Sequence, residues 1–271
     1  MKQHSIATKL NTKLDRIEQR SRKFPSATFN NLGHALDLEL LRTCFNGLDA
    51  RKAVGVDGIT KARYGRKLES NLQTLLKKIR DRSYYPKPSR IVDIPKVDGS
   101  KRPLAISCIE DKIVQEAVRQ ILERIYEPHF LECSYGFRPN RNAHQALAAL
   151  DKRLLKESCK SAVDIDLKKY FNTIPHKPLG RILQKKVKDR RLLFLIIKLL
   201  KAPTLNKDGT LERNEIGSPQ GSILSPLLAN IYLHYVIDEW FVEVNKHRFQ
   251  GAAHMVRYAD DGVPRALRRF A

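Results

Sequence analysis

Val163-Asp164-Ile165-Asp166-Leu167 alternates apolar and acidic residues. Successive side chains of a strand point to opposite faces, so Asp164 and Asp166 share one face and Val163, Ile165 and Leu167 the other. The stretches on either side have helical spacing instead. Ala146, Leu147, Leu150 and Leu154 mark a helix from about Asn142 to Glu157, and apolar helical segments lie between Leu179 and Leu200. A second strand, Met255-Val256-Arg257-Tyr258-Ala259, runs into Asp260-Asp261. If the two strands are neighbours in one sheet, Asp166, Asp260 and Asp261 converge on one point.

Upstream, Leu68, Leu72, Leu75, Leu76 and Ile79 share a helical face, and Pro86 closes off the helical stretch. Two short β-rich runs, Arg90 to Pro95 and the stretch from Lys101, flank Asp98-Gly99, a hairpin signal. A further amphipathic helix carries Ile113, Ala117, Ile121 and Ile125 and ends before Pro128. Downstream, Asp208-Gly209 marks another hairpin. Ser225-Pro226 supplies an N-cap and a first-turn proline for a long helix through Ile231, Tyr235 and Trp240. Helices and strands alternate irregularly, so the expected class is α+β.

Fifty-one Lys and Arg stand against 29 Asp and Glu among 271 residues, a formal net charge of +22. The basic residues recur along the chain, at Lys77-Lys78, Lys101-Arg102, Lys168-Lys169 and from Lys185 to Arg191, as on a surface that follows a phosphate backbone. A phosphate-binding protein should not cluster carboxylates beside its ligand unless cations sit between them. Asp166, Asp260 and Asp261 therefore read as a site for Mg²⁺, which takes oxygen ligands and bridges carboxylates to substrate phosphates. Each piece alone has a plainer reading, because Asp261-Gly262 is a good turn and Asp164 with Asp166 could be a wetted strand face. Cys44, Cys108, Cys133 and Cys159 are widely spaced and suggest neither a disulfide framework nor a zinc site. The apolar block Leu192 to Leu200 is too short to span a bilayer, and the N-terminal residues lack a signal-like apolar stretch. A cytoplasmic protein with no membrane partner is expected.

Order sharpens the reading. Asp166, then Gly217-Ser218-Pro219-Gln220-Gly221-Ser222, then Tyr258-Ala259-Asp260-Asp261 is the succession of polymerase motifs in reverse transcriptases. Gly217 to His234 closely resembles the group II intron-encoded reverse transcriptase/maturase branch. So do Lys52-Ala53-Val54-Gly55-Val56-Asp57-Gly58-Ile59-Thr60, Ile94-Pro95-Lys96 with Arg102-Pro103-Leu104, and Ser134-Tyr135-Gly136-Phe137-Arg138-Pro139. The resemblance runs from about Phe24 to Asp261. It implies the fingers and palm of a right-hand polymerase, with an antiparallel palm sheet backed by helices. It also implies synthesis of DNA on an RNA template with two Mg²⁺ ions and deoxynucleoside triphosphates, the RNA being intron RNA of a mobile element. Asp166, Asp260 and Asp261 match the metal-binding triad, with the Leu167 carbonyl as an extra ligand. Lys96 and Arg102 match residues that hold the triphosphate, a role suited to a flexible Lys and a forked Arg. Phe171 matches the aromatic under the deoxyribose, Gln220 the contact to nucleotide and template, and Gly221 and Tyr258 the residues beside template and primer. The family usually has a small residue, often Gly, at Lys169, and commonly Asp at Asn172. His144 matches a family-like helix start and reads as structural or as a phosphate contact.

The expected organisation is a basic N-terminal extension, or short helix of its own, over 1–23, fingers over 24–158 and palm over 159–261. Residues 262–271 form an atypical tail, read as out of frame because Pro264 and three arginines suit no buried strand. On that reading the chain is truncated, the thumb is missing, and loss of the returning strand endangers activity. The alternative function is a non-catalytic RNA-binding, maturase-like splicing factor or a decayed fragment. Oligomeric state is not legible.

Overall fold

The computed structural model describes residues 2–95, 99–156, 161–248 and 253–266. In chain order the helices and strands are α1 (Lys2–Lys23), α2 (Leu38–Gly47), α3 (Lys61–Gly65), α4 (Leu68–Arg80), β1 (Ser89–Pro95), β2 (Lys101–Ile106) and α5 (Ile109–Tyr126). Next come α6 (Ala143–Lys156), β3 (Ser161–Ala162), β4 (Ile165–Asp166), α7 (Tyr170–Thr173), α8 (His176–Lys186), α9 (Arg190–Leu200), β5 (Thr204–Leu205) and β6 (Leu211–Glu212). The last are α10 (Ser225–Leu233), α11 (Glu239–Arg248), β7 (Ala253–Tyr258) and β8 (Asp261–Ala266). Helices and two separate sheets make the class α+β. No helix among the described residues is long and apolar enough to cross a membrane.

The chain forms two compact units that interleave along the sequence: Met1–Pro128 with Phe171–Ser225, and His129–Tyr170 with Pro226–Ala271. The chain crosses between them after Pro128, inside α7 and at the start of α10.

The first unit is built around α5. Ile113, Val114, Ala117, Val118, Ile121, Leu122 and Ile125 are all fully buried, so this helix is enclosed on more than one face. Each of the Val, Leu and Ile side chains contributes about 1.5–3 kcal/mol by leaving water. Helices α1, α2 and α9 pack on it. Residues 2–23, expected as an extension or a short helix of their own, form a 22-residue helix that packs within this unit. The reason is visible in its spacing: Leu14, Ile17 and Ser21 fall on one face and are buried. The Ser21 hydroxyl donates to the Ile125 carbonyl at 2.6 Å, fixing the helix against α5. The unit's sheet has the order β2-β1-β5-β6. β1 and β2 form the expected antiparallel hairpin, from Arg90↔Ile106 to Pro95↔Lys101, and β5 joins β1 in parallel. The Asp208-Gly209 hairpin closes β5 onto β6.

The sheet of the second unit is antiparallel throughout, with β8 at its centre, β7 on one side and β3 and β4 on the other. Of the expected tail, residues 267–271 lie outside the described residues, while residues 262–266 belong to β8, a returning strand paired with β7 from Tyr258↔Asp261 to Ala253↔Ala266. Pro264 is accommodated by a break in the neighbouring strand. The expected single strand over 163–167 is instead β3 and β4, and the register places Pro264 opposite the gap between them. Pro264 has no N–H to give there, yet its carbonyl still accepts from the Val163 N–H at 3.0 Å. The long helix after Ser225 is likewise interrupted, by one wide π turn at His234–Asp238 that buries both His234 and Asp238.

Candidate active site

β8 brings the acids together. Asp261 is the register partner of Tyr258 on β7 and of Asp166 on β4, so Tyr258, Asp261 and Asp166 stand in a row across three strands. Asp260 occupies the turn between β7 and β8. Like charges directly opposite each other in a sheet are destabilising. Asp261 registers this: partial burial, then the charges of Asp260, Asp166 and Asp164, hold its carboxyl above the ordinary carboxylate value. Among the described residues no three His, Cys, Asp or Glu side chains are gathered closely enough to chelate an ion outright. The donor set is nonetheless all hard oxygen, and the charged neighbours of Asp261 are acids, which is the chemistry that fits a small divalent cation. The Leu167 carbonyl accepts from the Tyr170 N–H at 3.1 Å and keeps a second lone pair.

The turn itself is held in an uncommon conformation. Ala259 has φ +57°, a left-handed geometry that costs a non-glycine residue about 1–2 kcal/mol. Lys169, at φ +52°, adopts the same geometry just after the Asp166 strand. A glycine would adopt this geometry without that cost.

The residues matched to nucleotide binding lie in the first unit. Arg102 is on β2 and exposed, and its Nε donates to Gln220 Oε1 at 3.1 Å. The Gln220 carbonyl in turn accepts from the Ala105 N–H at 2.7 Å, so the Gly217–Ser222 loop lies along β2. Gly221 permits this contact: at φ +104° a Cβ there would stand 2.7 Å from the Ala105 carbonyl oxygen. The half-buried Phe171 is fixed through its backbone, its carbonyl accepting from the Ser218 N–H at 2.7 Å, while the Gly217 N–H donates to the Ile174 carbonyl at 2.8 Å. Gln220, Pro219, Ser218, Asn172, Ala105 and Pro103 help line an open cleft of about 470 Å³ in this unit. Lys96 lies outside the described residues. His144 lies in the first turn of α6, where the Asn142 and Gln145 side chains each accept from the other's backbone N–H at 2.9 Å.

Residues 94–264 match the family model for reverse transcriptase (RNA-dependent DNA polymerase). The chain belongs to the reverse transcriptase family. The match continues through Val263 and Pro264, so most of β8 is family sequence rather than a foreign tail. Its relatives are of the group II intron branch. The chain is 37% identical over 223 residues to the group II intron-encoded protein LtrA of Lactococcus lactis subsp. cremoris, covering 82% of this chain and 37% of that protein. It is 35% identical over 240 residues to an uncharacterized 91 kDa protein in the cob intron of Schizosaccharomyces pombe, covering 88% of this chain and 29% of that one. The chain thus spans about a third of the length of these relatives. A solved Cas6-RT-Cas1–Cas2 complex is similar at a TM-score of 0.48 and 20% identity, covering 86% of this chain and 37% of that chain.

One group in this reverse transcriptase fold escaped the sequence reading. Arg257 is buried and paired with the fully buried Asp238. The signal was present: Arg257 shares a strand face with Met255, where an apolar residue belongs, and Asp238 sits in an otherwise largely apolar helical stretch.

Proposed function

We propose that this chain is the catalytic portion of a group II intron-type reverse transcriptase, adding deoxynucleotides to a primer 3′-hydroxyl on an RNA template. The observation that carries the reading is the row of acids, Asp166 opposite Asp261 with Asp260 in the adjoining turn, inside a chain of +22 net charge. Asp166, Asp260 and Asp261, with the Leu167 carbonyl, would hold two Mg²⁺ ions. When bound, such ions lower the cost of charge on the attacking and leaving oxygens of an in-line phosphoryl transfer. Arg102, preset by Gln220, presents a planar fork to triphosphate oxygens, and Lys96 would add a second cation. Phe171, its backbone anchored by Ser218, would pack under the deoxyribose and exclude a 2′-hydroxyl, as the resemblance implies. Gln220 and Gly221 lie along the template side, and Tyr258, 39% exposed at the end of β7, meets the primer terminus. The distributed Lys and Arg follow the RNA backbone, and intron RNA is the template that the named relatives suggest. In this reading the fingers lie within 24–158 and the palm within 159–261, extended by β8.

Extension of a DNA primer on an RNA template, with Asp260→Ala as control, tests this. The wild type is expected to extend and the variant to fall by at least about 10³-fold, roughly 4 kcal/mol of transition-state stabilisation. Equal extension by both, or none by either, would leave RNA binding through the basic surface as the function, as in a maturase-like splicing partner.

A further inference from the structure

We propose that Arg257 is a positioning residue for the acidic turn, holding Asp260 and Asp261 in place through the Ala259 carbonyl. Arg257 is 1% exposed, and the five N–H donors of its guanidinium all have partners. Nε donates to Asp238 Oδ1 at 2.8 Å and Nη2 to Asp238 Oδ2 at 2.7 Å, a bidentate pair. Nη2 also donates to Ser134 Oγ at 2.7 Å and Nη1 to Asn230 Oδ1 at 3.1 Å. The remaining Nη1 donor reaches the Ala259 carbonyl at 2.7 Å. That carbonyl belongs to the residue in left-handed geometry immediately before the two aspartates. A buried, fully used guanidinium has no slack: moving the carbonyl leaves a buried donor unmatched.

A second wall supports the same turn. Asn230 Nδ2 donates to the Gly136 carbonyl at 2.6 Å, so one side chain ties Arg257 to the Ser134–Gly136 segment. That segment also pairs with the strand backbone, Tyr135 N–H to the Arg257 carbonyl at 2.9 Å and Arg257 N–H to the Cys133 carbonyl at 2.7 Å. A Cβ on Gly136 would stand 2.2 Å from the Ala259 nitrogen, closer than any side chain permits. The Ser134-Tyr135-Gly136 motif therefore packs against the Ala259 nitrogen while Arg257 holds the Ala259 carbonyl. The acids of the row repel one another, and this support opposes their splaying before a cation binds. The inference rests on the proposed cation site, and its function is to preset that site.

Mn²⁺ titrated into the full chain, read by the electron paramagnetic resonance signal of the free ion, tests it alongside thermal melting. The double variant Arg257→Met/Asp238→Leu removes the pair without leaving a lone buried charge. It is expected to melt near the wild type and to bind Mn²⁺ about 10- to 100-fold more weakly, the usual effect of removing a group that orients metal ligands. Gly136→Ala, which keeps the ion pair but displaces the Ala259 nitrogen, is expected to weaken binding in the same direction. It decides the matter if the double variant does not fold. Wild-type Mn²⁺ affinity in a folded double variant or in Gly136→Ala would overturn the inference. No Mn²⁺ binding by the wild type, or binding untouched by Asp260→Ala, would instead overturn the cation site itself.

Discussion

Asp261→Asn is expected to abolish primer extension while making the ion-free chain more stable. The two effects share one cause. Asp261 stands opposite Asp166 on the neighbouring strand, and its carboxyl is held above the ordinary 3.8 by burial and by Asp260, Asp166 and Asp164. A carboxylate with a raised value binds its proton more tightly folded than unfolded. Its ionisation therefore costs stability as pH climbs from 3.8 through the raised value, and the full cost remains above it. Asparagine removes that charge, so the variant should melt above the wild type at neutral pH. The gap should close as pH falls below the carboxylate range, where neither side chain carries a charge. Activity should fall by at least about 10³-fold, because a neutral amide is a poor ligand and donates no charge to a bound cation. Melting curves of the ion-free proteins at several pH values, beside extension assays, check both parts. A variant less stable than the wild type at neutral pH would contradict the electrostatic reading of the row.

Arg257→Ala should be the most damaging single change outside the acids. Asp238 is 0% exposed, and removal of its partner strands a carboxylate in the interior. Breaking a buried pair in this way typically costs about 3–5 kcal/mol, a large fraction of a domain's net stability. Asn230, Ser134 and the Ala259 carbonyl lose a donor at the same time. Denaturant unfolding should show the second unit destabilised by that amount. Replacing both partners with apolar residues should recover most of it, since no charge is then left unpaired. A single variant as stable as the wild type would show that water or another cation reaches Asp238.

The sequence made the acids legible because strand alternation and a β-turn are local. Val163 to Leu167 and Met255 to Asp261 each announced a strand ending in carboxylates, and the hairpins at Asp98-Gly99 and Asp208-Gly209 announced themselves by turn chemistry. Pairing was not legible. Pro264 argued against a strand when judged alone, because its tolerance depends on a gap in a partner strand about a hundred residues earlier in the chain. The packing of the N-terminal helix was hidden for a related reason: its charge is evident in the sequence, whereas the partner that Leu14, Ile17 and Ser21 meet, α5, lies about a hundred residues away. Arg257 and Asp238 are 19 residues apart and were invisible as a pair, since nothing in local spacing brings a β7 residue to a π turn.

In the proposed function, Asp166, Asp260 and Asp261 hold divalent cations on the phosphate that reacts. Incorporation of a single α-thio deoxynucleotide opposite an RNA template tests it most directly, because sulfur binds Mg²⁺ poorly and Mn²⁺ better. The wild type is predicted to incorporate it slowly in Mg²⁺ and much faster in Mn²⁺, and Asp166→Ala in neither. Incorporation by Asp166→Ala at the wild-type rate, or none by the wild type in either ion, would contradict the account.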